Sequence, residues 1–205
     1  MSTIPSIKGS VFLGHFDFLS KLVESGEVSR EELESNLLPK DLELFDAPIQ
    51  VTAWYDIRSY TRILELLREV AGEGKNDFLV ERGAASAERL LYSGLYAQFE
   101  YLKRTQMQAA STPRDRYLAF GRDLRLLVTL NDNVLNFSHG GVEEDPDHAD
   151  RWMLVTSDAA AYPDVLCWTT QGFNNRMAQE HGCPDLWYWD RPQPDLIRFR
   201  MKYAV

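Results

Sequence analysis

The sequence predicts an α+β fold, in which an N-terminal helical part packs on a C-terminal antiparallel sheet with β-β-α-β-β order. Up to about residue 128 apolar side chains recur at helical spacing, and beyond it short β-type runs are separated by turn residues. A chain of 205 residues, 44% of them hydrophobic, can bury a sizeable core. We therefore expect one domain, 1–205, with a helical part at 1–130 and a sheet-and-helix part at 131–205.

The first helices are predicted from apolar spacing and capping residues. Apolar residues from Lys8 to Val23 recur at helical spacing. Ser29, with Glu32 three residues later, has the form of a capping box and predicts the start of a short helix. The run from Pro48 to Tyr55 is β-branched and aromatic but short, so we expect an extended connector there.

Three more helical segments follow. Asp56 can cap a helix that ends at the Gly72 and Gly74 pair, where left-handed termination is available. A second helical stretch runs from Asp77 towards Ala110, and we expect a kink or break near Gly83 or Gly94 because glycine weakens helices. Thr112, followed by proline, predicts the start of the third.

The C-terminal part predicts four strands around one helix. The expected order is strand 133–139, acidic loop 140–150, strand 151–157, helix 162–181, strand 186–189 and strand 197–203. This order suits an antiparallel sheet with the helix on one face and the N-terminal helices on the other.

Charge and composition argue against several classes of function. The formal charge is -9 and the pI about 5.0, so the molecule would repel a phosphate backbone and we expect no nucleic-acid partner. No run reaches the length of a membrane span and the start lacks signal-peptide features, so we expect no membrane span and a cytoplasmic protein. Two cysteines are too few for a disulfide framework.

Residues with catalytic or metal-binding potential form no recognisable constellation. No histidine lies between His15 and His139. His181 and Cys183 lie together at the expected end of a helix, where a zinc site would need two more ligands. The acidic run 143–150 lacks the glycine and distal glutamate of a calcium loop, so we interpret it as a solvated hairpin loop. We expect no metal.

Aromatic residues are the remaining candidates for a ligand site. Trp54, Tyr92, Tyr96 and Phe99 can line a pocket between helices and sheet, although a packed core explains them as well. Trp187 and Trp189 alternate with Leu186 and Tyr188 on one predicted strand, so one of these pairs can be exposed as a homodimer surface.

Several short features carry a family resemblance across nearly the whole chain. They are Ile7-Lys8-Gly9-Ser10-Val11, Trp54-Tyr55-Asp56 before a helix with Tyr60 in its first turn, a helix containing Gly83, and the closing β-β-α-β-β unit. Together they resemble a paralogous family of unknown function in myxobacteria, which is similar in layout to haem-nitric-oxide-binding domains and to the 4-vinyl-reductase and TRAPP-subunit group. The resemblance implies a bacterial sensory or scaffolding protein that binds small hydrophobic ligands or forms dimers.

A haem site is contradicted on this resemblance. The haem-binding members hold iron through a histidine on a helix ahead of the sheet and hold the propionates with a Tyr-x-Ser-x-Arg motif. The chain has no histidine in the matching segment, and Tyr92-Ser93-Gly94 lacks the rest of the motif. We therefore expect no cofactor.

Three functional hypotheses follow. The first is a non-enzymatic regulatory or sensory module that binds a small apolar ligand or a protein partner. The second is a structural or assembly role as a homodimer. The third, which has the least support, is an enzyme that uses carboxylates or the His181 and Cys183 pair.

Overall fold

The N-terminal half consists mainly of helices, with one short two-stranded sheet. The computed structural model describes residues 4–93 and 112–205. In chain order the elements of this half are β1 (Ser6–Lys8), α1 (Gly9–Glu24), α2 (Arg30–Asn36), α3 (Pro39–Leu42), β2 (Trp54–Asp56), α4 (Ile57–Gly72), α5 (Asn76–Ser93) and α6 (Pro113–Val134).

The C-terminal half contains a four-stranded antiparallel sheet and one long helix. Its elements are β3 (His139–Asp145), β4 (His148–Ser157), α7 (Asp164–Glu180), β5 (Trp187–Gln193) and β6 (Leu196–Met201). The strands lie in the order β3-β4-β6-β5. The predicted α+β class and β-β-α-β-β order are confirmed.

The predicted helix starts are confirmed by their capping hydrogen bonds. The backbone N–H of Glu32 donates to the Ser29 hydroxyl at 3.2 Å, and the Ser29 N–H donates to the Glu32 carboxylate at 2.7 Å. The Asp56 carboxylate accepts from the backbone N–H of Arg58 at 2.9 Å. Thr112 accepts from the backbone N–H of Asp115 at 3.1 Å. Each cap satisfies donors that the first helical turn leaves unpaired.

The break expected near Gly83 is absent, because α5 continues through it against α7. A Cβ on Gly83 would lie 1.9 Å from the carbonyl oxygen of Thr169, and one on Gly172 would lie 1.8 Å from that of Val80. The two glycines therefore let the helix backbones touch. Gly94, the other expected break, lies outside the described residues.

Two local predictions around the strands were wrong. Trp54 and Tyr55, at the end of the expected connector, belong to β2, in which Tyr55 pairs with Ile7 of β1. The expected strand 133–139 and acidic loop 140–150 are instead the end of α6 and a β3-β4 hairpin that turns after Asp145. Asp145 is buried because Arg200 of β6 donates to it at 2.6 Å, a partner that the local sequence does not reveal.

The helices α6 and α7 pack on the same face of the sheet, so the expected arrangement with helices on both faces was wrong. Leu154 and Phe199 pair across β4 and β6, and both line a cavity with residues of α6 and α7. On the opposite face Arg200 pairs with Tyr188, which is 39% exposed. None of the helices in the described ranges has the length and apolarity to cross a membrane.

Candidate functional site

A cavity of about 150 Å³ lies between the helical part and the inner face of the sheet. Residues of α1, α4, α5, α6, α7, β4 and β6 contribute to its wall. The apolar side chains that line it include Val11, Leu90, Leu127, Leu154, Leu166, Phe173 and Phe199. The fold thus brings distant helices and strands around one mostly apolar space.

One corner of the cavity is polar and is centred on His15 of α1. His15 is 1% exposed, and its ring packs edge-to-face on Tyr60 with the centroids 5.7 Å apart. His15 Nε2 lies 3.5 Å from the Ser86 hydroxyl, which itself donates to the Arg82 carbonyl oxygen at 3.0 Å. His15 Nδ1 is buried and has no hydrogen-bond partner in the described part of the chain. A buried polar atom of this kind is costly unless something pairs with it.

Two arginines of α5 lie beside this histidine. Arg82 donates to the Gly14 carbonyl oxygen at 2.9 Å, and its guanidinium lies 4.1 Å from the centroid of the Phe18 ring. Arg89 lines the cavity, and its guanidinium fills the space beside Gly14, where a Cβ would lie 1.4 Å from Nη1. Burial, and the charges of Arg82 and Arg89, lower the pKa of His15 to about 3, so the imidazole is neutral at pH 7.

Two buried tyrosines complete the polar part of the wall. Tyr60 Oη lies 3.5 Å from the Thr169 hydroxyl, and Tyr162 Oη lies 2.8 Å from the Thr170 hydroxyl. Burial raises the pKa of both phenols well above the ordinary value. Both tyrosines are therefore neutral hydrogen-bonding groups rather than phenolates.

The structure does not bring the predicted pocket residues together in the part that it describes. Trp54 is 45% exposed and lies 5.2 Å from the Lys8 ammonium, and Tyr92 is 75% exposed. Neither lines the cavity. Tyr96 and Phe99 lie outside the described residues, so their place in a pocket stays a prediction.

Sequence reasoning missed His15, Ser86 and Arg89 as site residues. One available signal was the position of His15 within the apolar stripe of α1, between Phe12 and Leu19. A histidine on a buried helix face either finds a partner in the core or lines a cavity. Nothing in the local sequence distinguishes the two outcomes.

The His181 and Cys183 pair is buried and does not form a nucleophilic dyad. Cys183 Sγ lies 3.7 Å from the His181 carbonyl oxygen rather than at the imidazole, and burial raises the pKa of the thiol. His181 Nδ1 instead lies 3.6 Å from Asp123 Oδ2. Among the described residues no group of three or more His, Cys, Asp or Glu side chains is arranged to hold a metal ion.

The tryptophans that suggested a homodimer surface pack within the chain. Trp187 is 1% exposed and stacks on Phe120, and Trp189 packs edge-to-face on Trp168 with the centroids 5.2 Å apart. Tyr188, between them, is exposed. The homodimer stays a prediction.

Comparison with known proteins links the chain to other proteins through its fold alone. No protein-family model matches the sequence, and no curated protein matches it significantly. Two crystal structures of the iron(II) unliganded H-NOX protein from K. algicida, the protein itself and a single-residue variant, each cover 95% of this chain and 95% of their own. Both are 12% identical, with TM-scores of 0.55 for the protein and 0.57 for the variant. The chain has an H-NOX-like fold.

The described residues do not fit a haem of the H-NOX kind. An apolar cavity of roughly 150 Å³ holds one benzene-sized ring, whereas a porphyrin has four pyrrole rings. His15 is the one imidazole among the described lining residues, and it belongs to α1 rather than to a helix that leads into the sheet. Residues 94–111 contain no histidine either.

Proposed function

We propose that this chain is a non-enzymatic regulatory or sensory module that binds one small apolar ligand in the cavity between its helical part and its sheet. The observation that carries the proposal is the cavity itself, about 150 Å³ with a mostly aliphatic and aromatic wall. Native cores rarely leave such a space, because each lost contact costs stability. Its volume equals that of an engineered cavity that binds benzene, so the proposed ligand has about one ring.

The H-NOX-like fold supports a sensory role by analogy. We further propose that the chain is one domain over 1–205 and belongs to the myxobacterial family that it resembles. In that role the ligand would change the affinity for a protein partner in the cytoplasm. A ligand achieves this only if it binds two conformations of the protein with different affinity.

Calorimetric titration and thermal unfolding with benzene test the cavity binding. At a benzene concentration 100 times Kd we expect about 2.7 kcal/mol of stabilisation, which corresponds to a rise in Tm of roughly 5 to 10 °C. Leu166→Phe places a larger side chain in the cavity wall and should abolish binding. Leu154→Phe, on the sheet side of the cavity, is a second filling variant.

Leu118→Phe is the matched control, since Leu118 is 42% exposed on α6 and does not line the cavity. This variant should bind benzene as the wild type does. Unchanged binding in both filling variants, with circular dichroism confirming that they fold, would contradict the proposal. So would the absence of any stabilisation of the wild type.

A further inference from the structure

The polar corner of the cavity carries positive charge that no described carboxylate offsets. Both arginines lower the pKa of His15, and no acidic group in the described ranges raises it. The pKa of Arg82 is itself lowered by burial and by the charge of Arg89, again without an opposing acidic group among the described residues. This local excess contrasts with the net charge of -9 of the whole chain. Local positive potential inside an acidic protein favours an anion at that point.

One unpaired hydrogen-bonding atom lies at the same corner. His15 lines the cavity, and its Nδ1 is buried without a partner in the described residues. Arg89 is exposed and lines the cavity, which places its side chain where the cavity reaches solvent. Buried polar atoms are normally paired, so His15 Nδ1 indicates a ligand group that pairs with it.

We infer that the ligand is a small monocarboxylate, with its apolar body in the cavity and its carboxylate between His15 and Arg89. This inference rests on the proposed cavity binding and specifies its ligand class. The guanidinium of Arg89 donates to one carboxylate oxygen. His15 donates from Nδ1 to the other once the Ser86 hydroxyl turns from the Arg82 carbonyl oxygen and donates to Nε2. A neutral imidazole has one donor and one acceptor, so Ser86 selects this tautomer only in that orientation of its hydroxyl.

The size of the cavity limits the apolar body to about one ring or a short alkyl chain. Charge-assisted hydrogen bonds are about twice as strong as neutral ones, so the carboxylate should be preferred over an uncharged group of the same size. The cavity wall thus limits the size of the apolar part of the ligand, and the positive charge of Arg89 favours a carboxylate. Acetate has too small an apolar part to fill the cavity, and benzene has no charge.

Titration calorimetry with two acid and alcohol pairs tests the inference. Benzoate is compared with benzyl alcohol, and hexanoate with 1-hexanol, on the full chain at pH 7. At least one acid should bind about tenfold more tightly than its alcohol. Arg89→Gln should remove most of this preference and leave alcohol binding within about twofold, because the cavity wall is otherwise unchanged. Arg30→Gln removes the same charge from an exposed site on α2 and should change neither affinity.

Nuclear magnetic resonance of the imidazole nitrogens provides a readout without mutation. The acid should shift the His15 signals and leave those of His181, which does not line this cavity, unchanged. Equal affinity for acid and alcohol would overturn the carboxylate inference while the proposed cavity binding stands. Acetate binding as tightly as benzoate would overturn it as well, since that result describes a surface anion site. If neither an acid nor an alcohol binds, both proposals fall.

Discussion

Asp41 and Asp145 are almost completely buried, and each is held by one arginine. Arg62 donates to both oxygens of Asp41, at 2.6 and 2.8 Å, and the backbone N–H of Leu38 donates to the same carboxylate at 3.0 Å. Burial alone would raise the pKa of Asp41, but these hydrogen bonds outweigh it and the pKa is lowered. Asp41 therefore fixes the start of α3 to the side of α4.

We predict that Asp41→Asn lowers the free energy of unfolding by about 3 kcal/mol at pH 7, because it leaves Arg62 without its buried counter-charge. Urea denaturation measures this change. The folded pKa of Asp41 is lowered, so its stabilisation is present above the unfolded value and is lost as the pH falls through the folded value. The difference in unfolding free energy between Asp41→Asn and the wild type should therefore become smaller in strong acid.

Glu34→Gln is the control for this prediction. Its ion pair with Arg30 is exposed, so the expected loss is below about 1 kcal/mol. A loss at Asp41 no larger than that of the control would contradict the structural role assigned to the buried pair.

At the scale of elements, the crossing of α5 and α7 positions the cavity. Gly83 and Gly172 let the two helix backbones approach within contact distance, and the polar corner residues Ser86 and Arg89 follow Gly83 by one and two turns. Ser86 and Arg89 therefore face the cavity only while this crossing is maintained.

We predict that Gly83→Ala and Gly172→Ala each destabilise the protein by at least about 3 kcal/mol, because the new methyl group meets backbone that cannot move aside. Thermal unfolding followed by circular dichroism measures the loss. Gly141→Ala is the control, since its nearest neighbour, the Val155 carbonyl oxygen, is at 3.9 Å. Wild-type stability in either helix variant would show that the crossing is looser than described.

At the scale of the whole molecule, Asp123 of α6 and His181 after α7 form a buried titrating pair. Burial raises the pKa of Asp123 to about 6 and lowers that of His181 to about 4. Stability from Asp123 is present at low pH and is lost as the pH rises through about 6. Stability from His181 and from His15 is present above the unfolded pKa of about 6.5 and is lost as the pH falls. The pH-dependent contributions of Asp123 and His181 to stability therefore partly cancel.

We predict that Asp123→Asn steepens the dependence of stability on pH. Without the opposing titration of Asp123, the variant should lose about 1 kcal/mol more than the wild type between pH 7 and pH 5. Urea denaturation at both values measures the difference, and the exposed Asp17→Asn is the control. Parallel curves for Asp123→Asn and the wild type would mean that the carboxyl titrates normally in the folded protein.

The layout of the molecule follows from local interactions. The caps at Ser29, Asp56 and Thr112 join residues two or three positions apart, and helical or alternating apolar spacing is visible in any short window. For this reason local patterns were enough to predict the α+β class, the order of the C-terminal elements and most helix boundaries. The β3 strand was not predicted because it carries three acidic residues, and the partner of the buried one, Asp145, is an arginine 55 positions away.

The location of the candidate site depends on contacts between residues that are far apart in the sequence. His15 and Ser86 are 71 positions apart, and they meet because Gly83 allows α5 to pack tightly on α7 while α5 also contacts α1. Whether a histidine, a serine and an arginine form a corner of a cavity depends on helix crossings, which no local pattern encodes. The aromatic residues of the sequence do not point to this corner, since the number of aromatic rings does not determine which side chains face a cavity.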